Sequence, residues 1–172
     1  MMGIFSTMDQ TKIQYREQGS DFHWITYQKA PLKVLPWTDK CIWGGSGRDL
    51  FRLLLKHGIH AHGWRRLWIP AYFCNDVTCA LLKTGIDVAA YPYGPEDIDS
   101  PLTKIDFLPY DVLLVVNYFG ISKRIQYSSG QRKIVAIIED HTHDPWSNWS
   151  YTSNADWCIA SLRKIGTVKF FV

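Results

Sequence analysis

Two carboxylates and two imidazoles fall within five consecutive residues, Glu139-Asp140-His141-Thr142-His143, directly after the apolar run 134–138. A carboxylate at the end of a buried strand is costly in its ionised form unless a cation or a hydrogen-bond donor meets it. A protonated heterocyclic nitrogen would be such a partner. The His-x-His spacing opens a metal reading as well. On an extended strand His141 and His143 share a face and both reach zinc, with Asp140 and Cys158 as further ligands. Local satisfaction of the histidines within a loop is the third reading, and these residues alone leave all three open. No second ligand pair of known spacing supports the metal, so no metal ligand is assigned.

Three other stretches carry chemistry. Ser46-Gly47-Arg48-Asp49 is a glycine-rich turn at the start of a helical pattern. Such a turn aims free backbone N–H groups and the positive end of a helix dipole at one spot, which suits phosphate, and Arg48 would add a fork of donors. The same residues also make an ordinary N-capped loop. The run 44–49, GGSGRD, lacks the Lys-Ser/Thr ending of a nucleotide-binding P-loop and the spacing of a dinucleotide fingerprint. In Ser161-Leu162-Arg163-Lys164 a lysine closes a strand pattern. A lysine desolvated in a cleft loses its proton more easily, and the neutral amine attacks carbonyls to form a Schiff base; an isolated lysine would be a solvated basic end. Tyr72-Phe73, after Pro70, offers a flat wall for a planar ring, although most aromatic residues are core.

These residues need a scaffold, and the patterning supplies one. Residues 43–63 read as a loop and then a helix, with Ser46 as N-cap, Leu50, Leu53 and Leu54 at helical spacing, and Gly58 as the stop. RRLWIPAYF reads as a strand ending at Pro70. A second helix follows, capped by Asn75 or Asp76, with Val77, Leu81 and Leu82 on one side and Gly85 at its end. IDVAAYPY, DVLLVVNYFG, KIVAIIED and ADWCIASLRK read as four more strands. The apolar run Val112 to Val116 suits a strand buried on both faces. Alternating strands and helices with such runs predict a parallel sheet covered on both sides. Ligands of such sheets bind beyond the carboxyl ends of the strands. The polar groups Asn117–Gly120, Glu139–His143 and Ser161–Lys164 fall at three such ends and argue for one site.

Composition bounds the rest. The chain has 172 residues, 47% hydrophobic, 20% charged and 15% aromatic, which predicts a packed core. A net charge of +3 is too small an excess to argue for nucleic acid. No apolar run reaches the ~20 residues that span a bilayer. The start, MMGIFSTMDQTKIQYREQ, lacks a secretory pattern, so a cytoplasmic protein is expected. The four cysteines, Cys41, Cys74, Cys79 and Cys158, form no CxxC pair and no disulfide framework is expected. Residues 1–42 show no clear period and are expected to be an N-terminal segment; residues 43–172 form the domain.

A phosphate cup, a carboxylate for a pyridinium nitrogen, a flat wall and a Schiff-base lysine together fit pyridoxal phosphate. In that order, the chain resembles the N-terminal part of the large domain of fold-type I pyridoxal-phosphate enzymes, closest to the DegT/StrS sugar aminotransferase family. The resemblance covers about residues 43–168 and rests on Gly47-Arg48-Asp49-Leu50, Ile69-Pro70-Ala71-Tyr72-Phe73, Gly85, Val116-Asn117-Tyr118-Phe119-Gly120, Glu139-Asp140-His141-Thr142-His143 and Ser161-Leu162-Arg163-Lys164. It implies a three-layer α/β/α fold with a mostly parallel sheet. It implies that Gly47, Arg48 and Ser161 hold the cofactor phosphate, Asp140 the ring nitrogen, and Lys164 the cofactor covalently as the catalytic residue. His143 would lie beside the cofactor, and Phe73 would stack on its ring. Family members continue past the lysine into a C-terminal small domain, whereas this chain ends at Val172. The expectation is therefore a truncated large domain with the small domain absent, unable to complete a transamination cycle alone. As an enzyme of sugar biosynthesis it would use an amino donor and a keto-sugar or keto-acid and, if complete, form a homodimer, with no nucleic acid or membrane as partner. The alternative is a non-catalytic fragment of that fold that binds cofactor or a partner.

Overall fold

Five strands form one sheet in the order β2-β1-β3-β4-β5, with every neighbouring pair parallel. They are β1 (Arg66–Pro70), β2 (Asp87–Tyr91), β3 (Asp111–Val116), β4 (Ala136–Asp140) and β5 (Trp157–Ile159). The computed structural model describes residues 41–97, 102 and 105–161. The expectations placed on residues 1–40 and 162–172, Lys164 among them, lie outside the described residues. Among the described residues four helices accompany the strands: α1 (Gly47–His62), α2 (Asn75–Leu82), α3 (Ser129–Ile134) and α4 (Asn148–Tyr151). The result is the expected three-layer α/β/α fold around a parallel sheet.

The strand order reverses direction between β1 and β3. The chain steps outward from β1 to β2, then returns past β1 to β3 and proceeds through β4 to β5. Parallel crossovers are right-handed, so the helix between β1 and β2 must lie on one face and those between β3, β4 and β5 on the other. Ring and helix contacts agree. His57 of α1 meets Trp157 of β5 edge-on at 5.8 Å, and α1 touches α2. On the opposite face Trp149 of α4 meets His141 edge-on at 5.8 Å.

All six residues of β3, the central strand, are buried, as a strand covered on both faces requires. The core also takes Phe51 and Leu55 of α1, Leu81 of α2, and Ile137 and Ile138 of β4. At the amino-terminal edge of the sheet Arg66 and Asp111, Cα partners on β1 and β3, form a two-pronged ion pair with contacts of 3.0 and 2.6 Å. The Trp68 indole and the Leu108 N–H donate to the same carboxylate, both at 2.9 Å.

Several local expectations are corrected. Gly58 does not end α1; the helix runs on to His62 and ends at Gly63, whose φ of 69° is left-handed. Gly58 is instead a packing position, where a β-carbon would lie 1.9 Å from the Trp64 ring. Leu53 and Leu82 point outward, 55% and 52% exposed, while Phe51 and Leu81 face the core. The helix α2 starts after Cys74, which makes no side-chain cap, so neither Asn75 nor Asp76 caps it. Ser46 does cap α1, accepting from the Asp49 N–H at 3.1 Å.

Candidate functional site

The carboxyl ends of β3, β4 and β5 lie side by side, so Asn117–Gly120, Glu139–His143 and Ser161, which follow them, share one edge of the sheet. Their side chains then divide by strand alternation. Glu139 and Asp140 are consecutive in β4 and must point to opposite faces. Glu139 is fully buried and accepts from Tyr127 at 3.1 Å and Ser153 at 2.6 Å, with His141 Nε2 at 3.1 Å. Burial alone would raise its carboxyl pKa, but His141 and Ser153 outweigh that and hold it below the usual carboxylate range. This carboxylate is taken up by the α3/α4 side of the fold.

Asp140 faces the other side. It is half-buried, and its Oδ1 accepts from the Thr142 N–H at 2.8 Å. Among the described residues no cation forms an ion pair with it. Its Cα partner on β5 is Ile159, and Ile138 pairs with Trp157. Trp157 and Ile159 therefore share Asp140's face, and Trp157 is the residue that meets α1. The face Asp140 looks onto is the one that carries α1.

The first turn of α1 completes that face. An ideal β-carbon on Gly47 would sit 3.7 Å from the Ser161 Cβ, so the start of α1 and the segment after β5 are in contact. The N–H groups of a first helical turn have no intrahelical partner. Ser46 caps one of them, that of Asp49. Arg48 is exposed at this turn, and Asp49 is engaged by Arg52 at 3.5 Å rather than by Arg48. A helix N-terminus, a serine and an exposed arginine are thus neighbours here, groups of the kind that receive a phosphate.

The turn after β3 adds aromatic surface. Phe119 and Gly120 have φ of 53° and 70°, and the turn closes through the Ile121 N–H donating to the Tyr118 carbonyl at 3.0 Å. A left-handed non-glycine residue is uncommon, and such strain gathers at functional sites. Here it lays the Phe119 ring against His143, with centroids 4.4 Å apart and planes 3° from parallel. Phe119 is 52% exposed and Tyr72 58% exposed, so both present rings at this edge. Phe73 is half-buried and packs against the core. The Tyr118 hydroxyl donates to the Tyr72 carbonyl, tying the β1 and β3 turns together. Burial, with Tyr93 and the Asp140 carboxylate adding to it, pushes that hydroxyl well above the usual tyrosine range.

Over part of its length the fold has a known likeness. It is similar to the aromatic-amino-acid aminotransferase from Burkholderia pseudomallei covalently bound to pyridoxal phosphate, with 12% identity and a TM-score of 0.42. The match covers 55% of this chain and 27% of that one, and it is a likeness of fold alone. No known family description and no curated protein matches the sequence.

The structure thus brings Gly47, Arg48 and Ser161 to one place and turns Asp140 toward the α1 face. His143 is at the same edge but stacked on Phe119, a pairing that no spacing or motif signals. The shared strand face for His141 and His143 is not found. β4 ends at Asp140, His141 is fully buried, and the ligand-type cluster among the described residues is Glu139, His141 and Cys158, without His143 or Asp140.

Proposed function

We propose that this chain is a pyridoxal-phosphate-binding domain of the aminotransferase kind, of the DegT/StrS sugar aminotransferase type. The observation that carries the reading is facial. Asp140, with no cation bound to it among the described residues, looks onto the face of α1, while the adjacent Glu139 is consumed by Tyr127, Ser153 and His141 on the other side. The groups at Gly47, Arg48 and Ser161 fit a phosphate, and the Asp140 carboxylate fits a protonated ring nitrogen. When bound, pyridoxal phosphate supplies the electron sink for chemistry at the substrate carbon that bears the amine.

The chain's own residues have separate tasks in this reading. The α1 N-terminus, Arg48 and Ser161 anchor the phosphate. Asp140 accepts a hydrogen bond from the ring nitrogen and favours its protonated form. Phe119, His143 and Phe73 supply flat surface. Lys164 would hold the cofactor covalently and would be the group that moves a proton. The acceptor would be a keto-sugar or keto-acid, in the cytoplasm, with a second copy of the chain as partner.

The test is spectroscopic. The purified chain with added pyridoxal phosphate should develop a visible absorption band that shifts on adding an amino donor. A band that forms normally in Asp140→Asn, or no band at all, would count against the reading. A band without the donor-induced shift would favour a domain that binds cofactor without turnover.

A further inference from the structure

Glu139, His141 and Cys158 offer three ligand atoms that lie within 4.8 Å of one another. Strand pairing brings them together. Glu139 and Cys158 are Cα partners across β4 and β5, and His141 lies two residues beyond Glu139. Paired residues of parallel strands share a face, so all three side chains lie opposite Asp140. We propose that these residues form a zinc-type metal site on the α3/α4 face of the sheet, separate from the cofactor edge.

The ligand chemistry favours a borderline-soft dication. A carboxylate, an imidazole and a thiolate are the three ligand types that zinc takes, whereas calcium and magnesium select oxygen alone. Charge balance also fits: a dication with one carboxylate, one thiolate and a neutral imidazole is a neutral unit. That matters where two of the ligands are buried, since an uncompensated charge there would be costly. Access comes from the third, because Cys158 is exposed and leaves an open side for entry and a fourth ligand.

The surroundings behave as a supporting shell. Tyr127 donates to Glu139 Oε1 at 3.1 Å, leaving Oε2 toward the cluster. Ser153 Oγ bridges Glu139 Oε2 at 2.6 Å and Cys158 Sγ at 3.2 Å. Ligand atoms around tetrahedral zinc are about 3.5 Å apart, from bond lengths of about 2.0–2.3 Å. The His141 Nε2 to Glu139 Oε2 separation of 3.1 Å is already close to that, so the exposed Cys158 has the adjustment to make. On binding, the Cys158 thiol and the His141 Nε2–H that faces Glu139 Oε2 give their protons to solvent, and His141 binds through Nε2, keeping its other proton on Nδ1. The Asn117 amide lies 3.3 Å from Nδ1 with its nitrogen toward the ring. Turned over, it presents Oδ1 to that N–H and gives up its 3.3 Å bond to the Asp144 carbonyl, while the Ser147 hydroxyl, 2.8 Å away, donates to Oδ1 instead of to that same carbonyl.

The experiment titrates the reduced, metal-free full chain with Zn²⁺ and with Co²⁺. One equivalent should bind, with a thiolate-to-Co²⁺ charge-transfer band. Cys158→Ser and His141→Gln should each weaken binding at least about tenfold. Zn²⁺ should protect Cys158 from alkylation. The exposed position of Cys158 keeps its variant folded, which a thermal melt verifies. The α1 histidines could bind metal adventitiously, so a His60→Gln/His62→Gln variant is run alongside and should titrate like the unaltered chain. Absence of the charge-transfer band, alkylation of Cys158 at the same rate with and without Zn²⁺, or binding unchanged in Cys158→Ser would each overturn the proposal.

Discussion

Gly47 opens α1 and Ser161 follows β5, yet a β-carbon on Gly47 would sit 3.7 Å from the Ser161 Cβ. The contact places a hydroxyl beside a helix N-terminus at the carboxyl edge of the sheet. Ser161→Ala should weaken pyridoxal phosphate binding roughly tenfold or more, the scale of one hydrogen bond to a charged group. Ser161 is half-buried and lies past the end of β5, so the melting temperature should hold. Titration of the cofactor by absorbance, beside a thermal melt, checks both halves.

The opposite facing of Glu139 and Asp140 predicts opposite phenotypes. Asp140→Asn should impair cofactor binding with little loss of stability. Glu139→Gln puts an amide among groups that donate to a buried carboxylate, and should cost about 1–3 kcal/mol of stability. Its effect on the cofactor should be minor. Urea unfolding and cofactor titration of both variants would show this, and equal behaviour of the two would mean that the facing is wrong.

Much of the scaffold was legible because burial on both faces writes itself into sequence. The run Val112–Val116 and the segment ending at Glu139-Asp140 became β3 and β4 for that reason. Asn117–Gly120, Glu139–His143 and Ser161 reached one edge because parallel strands all end there. What failed was punctuation. Gly58 and Gly63 look alike in sequence, but only Gly63 adopts a left-handed φ; Gly58 answers to the Trp64 ring, a contact that propensity does not encode. The helix α3 was missed although Ser128 and Gln131 form a capping box, the one local signal that marked it. The short helix α4, capped by Ser147, is too brief for any periodicity to register. In the site, Asp140 and Glu139 were separable by alternation alone. The Glu139–His141–Cys158 cluster was not, because it depends on which residue of β5 registers with Glu139.

Gly58 gives a stability test with competing terms. Gly→Ala in a helix interior gains about 1 kcal/mol of propensity. A β-carbon 1.9 Å from the Trp64 ring, in a buried position, forces the indole or the helix to shift. Overpacking of that kind costs about 1–3 kcal/mol. We expect Gly58→Ala to be net destabilising, and Gly58→Ala in a Trp64→Leu background to be neutral or stabilising. Chemical denaturation of the four combinations would measure the coupling directly.

Asp111 sets a pH dependence. Burial would raise its carboxyl pKa, but the Arg66 guanidinium, the Leu108 N–H and the Trp68 indole hold it below the usual carboxylate range. A depressed carboxyl stabilises the fold above its unfolded pKa, about 3.9. That contribution is lost as pH falls from there through the lower folded value. The stability gap between the unaltered chain and Asp111→Asn should therefore be full at pH 7 and shrink below about pH 4. Melting temperatures of the two proteins across that range would show it, and a gap independent of pH would contradict the pairing.

The most direct test of the cofactor assignment is borohydride reduction of the full chain incubated with pyridoxal phosphate, followed by peptide mapping. The account predicts one equivalent of cofactor fixed on Lys164, and none fixed in Lys164→Ala. Label absent, or spread over lysines such as Lys56, Lys83, Lys123 and Lys133 with none on Lys164, would contradict it.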